Sequence, residues 1–78
     1  MERTFTVRGV VRAVFPEANL VILTHEDIPG YMQSMTMGFR VAEPRLYEGL
    51  AVGETVEFTL RGVSPNLVIT AIRREGKS

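Results

Sequence analysis

Apolar and polar positions alternate along the first fifteen residues. Phe5, Val7, Gly9, Val11, Ala13 and Phe15 form one set, and Thr4, Thr6, Arg8, Val10, Arg12 and Val14 the other. A period of two is the strand period, so the spacing predicts a long strand over residues 4–15 with the first set facing inward. Gly9, in its middle, predicts a bend or bulge, and strongly curved long strands belong to small barrels.

Residues 16–19 (PEAN) read as a turn. Residues 20–25 (LVILTH) read as a second strand, antiparallel to the first, and their Leu and β-branched content suits a central, well-covered position. Residues 26–34 (EDIPGYMQS) form a loop around Pro29-Gly30 that is longer than a usual hairpin connection. Alternation returns over residues 35–41, with Met35, Met37, Phe39 and Val41 on one face. Residues 42–53 lack a strand pattern; Leu46, Tyr47 and Leu50 suit one helical turn plugging a barrel end. A fourth strand covers residues 55–61, with Val56, Phe58 and Leu60 inward. A turn over residues 62–66 leads to a fifth strand over residues 67–72, and residues 73–78 read as a frayed polar tail. Five strands in this length predict an all-β protein: a small five-stranded antiparallel closed barrel, OB-like, with an SH3-like barrel as the competing architecture.

Composition narrows the function. The chain has 78 residues, expected to form a single domain over 1–78, with 9 basic and 9 acidic side chains and no net charge. Too little chain is present to wall a deep catalytic cleft, so an enzyme is not expected. Charge balance argues against a nucleic-acid binder, which usually carries a basic excess. No apolar run is long enough to span a membrane, and residues 1–4 lack the apolar stretch of a secretory signal. The absence of Cys removes disulfides, thiolate zinc sites and thiol nucleophiles.

What chemistry remains is soft. The adjacent carboxylates Glu26 and Asp27 diverge on a loop and suit a solvated role, and a single His excludes a two-His metal site within one chain. Three of the four methionines, Met32, Met35 and Met37, fall within six residues. Met35 and Met37 share a strand face, and His25 shares parity with the inward Val21 and Leu23 at the other end of the same loop. An antiparallel hairpin would therefore bring His25 beside Met35 at one barrel mouth, with Met32 able to fold over them. Neutral, polarizable thioethers select Cu(I) and Ag(I) over Zn²⁺, Mg²⁺ or Ca²⁺. The competing reading is core packing, since Met commonly fills interiors and a lone His is often structural.

The stretch over residues 24–39 (THEDIPGYMQSMTMGF) resembles the CusF-like copper- and silver-binding domains. The likeness extends to Gly9-Val10-Val11 before it and to residues 52–58 (VGETVEF) after it. The resemblance implies a small OB-type barrel, an imidazole ligand at His25 and thioether ligands at Met35 and Met37. At the position where the best-known chaperone of that family has a metal-capping Trp, this chain has Met32, which brings a third thioether instead. The resemblance further implies Cu(I) as cargo, with Ag(I) also bound, and a periplasmic or extracytoplasmic location. It implies a metal-transfer partner, either a copper efflux pump component or a copper delivery protein. The expected form is a monomer, without membrane insertion or nucleic acid. The alternatives are an OB-type single-stranded nucleic-acid binding module and a structural domain without a ligand.

Overall fold

Alternating apolar residues become the inner wall of a closed barrel. The computed structural model describes residues 2–63 and 66–75. Its strands are β1 (Arg3–Phe15), β2 (Leu20–His25), β3 (Met35–Val41), β4 (Thr55–Val63) and β5 (Asn66–Arg74), closed in the order β1-β2-β3-β5-β4. Val7, Val11, Val21, Leu23, Phe39, Val56, Phe58, Leu60 and Ile69 meet inside. Their burial is the main favourable term holding so short a chain together. No helix among the described residues is long and apolar enough to cross a membrane.

The strand order is that of an OB-like barrel, and it corrects the all-antiparallel expectation. β3 and β5 run parallel, pairing through Arg40↔Val68 and Val41↔Ile69, while the other four ladders are antiparallel. The bulge also sits elsewhere than expected. Register between β1 and β2 shifts between Val11 and Ala13, not at Gly9. One extra residue reverses the facing of everything beyond it. Val14 consequently packs against the core, and Phe15, expected inside, is 43% exposed.

Short 3-10 turns cover Pro16–Ala18 and Pro44–Tyr47. The second carries Leu46 and Tyr47, which with Leu50 pack against the core as expected. Tyr47 donates its hydroxyl proton to Asn19 Oδ1 at 2.8 Å, joining this segment to the β1–β2 turn. On the outer face of β2, Leu20 and Ile22 are only half-buried, so that strand is covered on one side.

The C-terminal reading needs a second correction. Arg73 and Arg74 continue β5 and pair with Glu57 and Glu54. Glu75 pairs with Arg8 at 2.9 Å. Of the expected frayed tail, residues 76–78 lie outside the described residues, as do residues 64–65 of the expected turn; Gly62 and Val63 belong to β4 and Asn66 to β5.

Candidate metal centre

The β2–β3 ladder builds the site. Its register pairs His25 with Met35, Leu23 with Met37 and Val21 with Phe39. Residues directly opposite in an antiparallel ladder share a face, so His25, Met35 and Met37 all lie on the inner side. On the outer side the Thr24 and Thr36 hydroxyls are hydrogen-bonded at 2.6 Å, and Arg12 Nε donates to Thr24 Oγ1 at 2.9 Å. These contacts hold the register one residue from the His25–Met35 pair.

His25 is 1% exposed. Its Nδ1 lies 2.7 Å from the carbonyl oxygen of Glu26. A carbonyl only accepts, so Nδ1 carries the proton in this contact, leaving a lone pair on Nε2 of the neutral ring. Nε2 is buried and has no hydrogen-bond partner among the described residues. Buried polar atoms are rarely left so, because desolvation is then uncompensated. The ring lies beside Phe39, with centroids 5.8 Å apart.

The sulfurs occupy graded positions. Met35, at the start of β3, is 50% exposed, so the inward face predicted for it opens at the barrel mouth. Met37 is half-buried. Met32 is half-buried and packs against the core. Met32 and Met37 also line one cleft of about 540 Å³ beside β3, which Phe39, Leu67 and Arg40 help to wall. The structure therefore joins His25 to Met35 through the ladder and Met32 to Met37 through the cleft.

The loop over residues 26–34 closes this end. β1 runs past the end of β2: its residues 3–7 pair with β4 alone, and the Arg8 carbonyl accepts from Glu26 N at 3.1 Å. The loop folds over the space thus left, with Ile28 buried and Tyr31 stacked on Phe5 at a centroid distance of 4.5 Å. Neither residue was among the expected ligands; the local signals in the sequence were the Pro29-Gly30 turn and an aromatic, Tyr31, next to Met32. Glu26 pairs with Arg8 at 3.4 Å, and Asp27 accepts a hydrogen bond from the Ser34 amide. Among the described residues no three His, Cys, Asp or Glu side chains are grouped to hold a metal, so the donor set available here is imidazole and thioether.

The family model for the copper binding periplasmic protein CusF matches residues 4–74. The chain belongs to the CusF family. Among solved structures, the apo form of Escherichia coli CusF is similar with a TM-score of 0.83 at 18% identity, covering 97% of this chain and 92% of that one. The Ag(I) form of Escherichia coli CusF gives 0.79 at 20% identity, covering 95% and 94%. The Cu(II) form of an Escherichia coli CusF variant with a tryptophan replaced by alanine gives 0.75 at 18% identity, covering 95% and 94%. These likenesses to CusF structures establish the fold. No curated protein sequence matches the chain.

Proposed function

We propose that this CusF-family chain holds one Cu(I) or Ag(I) ion through His25 Nε2 and the thioethers of Met35, Met37 and Met32, and passes it to a partner protein. The observation that carries this reading is His25 itself: a buried imidazole whose Nδ1 is fixed on the Glu26 carbonyl while Nε2 has no partner among the described residues. A hydrogen bond of this kind from the other ring nitrogen orients a ligating imidazole and sets its tautomer. A soft monovalent ion supplies the missing partner without bringing a hard oxygen shell, and neutral thioethers favour such an ion. The similar Escherichia coli structures are Ag(I) and Cu(II) forms, in keeping with this cargo.

The role is holding and handing over, not catalysis. Met35 at the barrel mouth gives an incoming sulfur ligand a place to attack the ion. The family is one of periplasmic proteins, and we infer the same extracytoplasmic setting, with a copper efflux component or a copper delivery protein as recipient. The nucleic-acid alternative is weakened by the aromatics. Phe39 and Phe58 are core residues and Phe5 lies under Tyr31, whereas single-strand binders need aromatics displayed along a basic groove.

Titration of the folded chain with Ag(I), followed by native mass spectrometry, tests the reading. One bound ion is expected, together with little binding of Zn²⁺. Undiminished Ag(I) affinity in a His25→Leu variant would refute the assignment.

A further inference from the structure

We propose that Tyr31 is a positioning residue for Met32, and that its stack on Phe5 determines whether the third sulfur reaches the ion. The inference rests on the soft-ion site proposed above and adds to it a residue that touches no metal. Met32 lies in a loop, where a flexible thioether is ordinarily a poor preorganised ligand. Here the main chain around it is tied on every side. Ile28 N donates to Met32 O at 2.8 Å, and Met32 N donates back to Ile28 O at 3.0 Å. Tyr31 N also donates to Ile28 O, at 2.9 Å. Gly30, at a φ of 75°, supplies the left-handed step that this tight turn needs. At the neck of the loop Ser34 N donates to Asp27 Oδ1 at 2.8 Å.

Those bonds make the turn rigid, but they do not attach it to the barrel. Besides Met32 itself, which packs against the core, two side chains do that. Ile28 is 6% exposed and enters the core. Tyr31, the residue immediately before Met32, lies over Phe5 of β1 with ring planes 33° apart. Phe5 stands on the part of β1 that extends beyond β2, so the stack spans from the long strand to the loop across the barrel end. The Tyr31 hydroxyl has no hydrogen bond to a described residue, so the ring and not the oxygen makes the attachment. Supporting residues that orient a metal ligand commonly affect affinity by about 10–100-fold.

The test compares Ag(I) affinity, by competition with a chelator, in the full chain and its variants. Tyr31→Ala should weaken binding by about tenfold, and Tyr31→Phe should bind as the parent does. X-ray absorption on the Ag(I) form should show three sulfurs in the parent and two in Tyr31→Ala. In a Met32→Leu background, Tyr31→Ala should cause no further loss, because the donor it positions is gone. Phe5→Leu removes the stack from the strand side, keeps the site apolar and should reproduce the loss, which guards against misfolding of one variant. Unchanged affinity in Tyr31→Ala, or an equal loss with and without the Met32 sulfur, would overturn the inference while leaving the soft-ion reading standing. Failure of the parent chain to bind Ag(I) would instead remove that reading and this one with it.

Discussion

Gly9 lies directly against the backbone that carries His25. The two are opposite each other in the β1–β2 ladder, and a Cβ on Gly9 would fall 3.4 Å from His25 Cα, 2.9 Å from the Thr24 carbonyl oxygen and 3.1 Å from Phe58 Cε1. The absence of a side chain at Gly9 therefore lets β1 lie close behind the candidate imidazole ligand. The backbone oxygen at 2.9 Å cannot move aside without shifting β2. Gly9→Ala should cost about 1–3 kcal/mol of stability, as overpacking of a filled core does. It should also weaken Ag(I) binding, because the strain falls on the strand that holds His25. Urea unfolding and Ag(I) titration of the same variant check both; an unaltered midpoint would show that β1 and β2 separate freely here.

His25→Leu separates function from stability in the opposite way. The substitution removes a buried nitrogen that has no partner among the described residues, and frees a carbonyl on exposed Glu26 that water can reach. Exchange for an apolar side chain of comparable bulk should change stability by less than about 1.5 kcal/mol in either direction. Ag(I) affinity should collapse. A large loss of stability would mean that the imidazole is chiefly structural.

Acid should weaken one identified contact at the C-terminal end. Arg8 grips Glu75 with two hydrogen bonds of 2.9 Å, from Nε and Nη2 to the two carboxylate oxygens. These bonds, with the charge of the guanidinium, hold the Glu75 carboxyl below its ordinary range. A lowered folded-state value means stability that is present above the ordinary carboxylate range and is lost as pH falls through the lowered value. Both groups are solvent-facing, so the effect is small and salt-sensitive. Glu75→Gln should lower the thermal midpoint slightly at neutral pH, and the difference from the parent should vanish in acid. A difference that persists in acid would trace to something other than this ion pair.

These contacts also show where the sequence was legible. β1 to β4 were readable because each has one face in the core, and burial imposes a period of two on its residues. The His25–Met35 pairing followed from parity and a single hairpin loop, two properties that the chain carries locally. Three features had no such local signature. The bulge between Val11 and Ala13, which turns Phe15 outward, interrupts a run that alternates without a break in the sequence. The parallel β3–β5 ladder depends on how the barrel closes, and alternation is blind to strand direction. Arg73, Arg74 and Glu75 looked like solvated tail residues because their partners are distant in sequence: Glu57 and Arg8 lie on other strands and Glu54 just before β4.

Met32→Leu tests the third sulfur directly. Met32 is half-buried against the core and shares its cleft with Met37, so a side chain of similar volume should be accommodated with a stability change below about 1.5 kcal/mol. The donor is lost while the apolar cover remains. Ag(I) affinity should fall clearly, and X-ray absorption should report two sulfurs instead of three. If affinity is retained, Met32 covers the ion without bonding to it.

Oxidation gives a test that needs no substitution. Among the described methionines, Met35 is the exposed one, whereas Met32 and Met37 are half-buried. Peroxide reaches exposed thioethers first, and the sulfoxide replaces a soft sulfur donor with a polar, harder oxygen. Mild peroxide on the metal-free chain should therefore oxidise Met35 ahead of Met32 and Met37, as read by peptide mass spectrometry. Because Met35 is already at the surface, its oxidation should leave the barrel folded while Ag(I) affinity drops. Ag(I) bound beforehand should protect it, since the lone pair that attacks peroxide is then engaged by the ion. Methionine sulfoxide reductase should restore binding together with the thioether. Equal oxidation of Met35 with and without bound Ag(I) would remove it from the ligand set, leaving His25, Met37 and Met32 as the remaining donors.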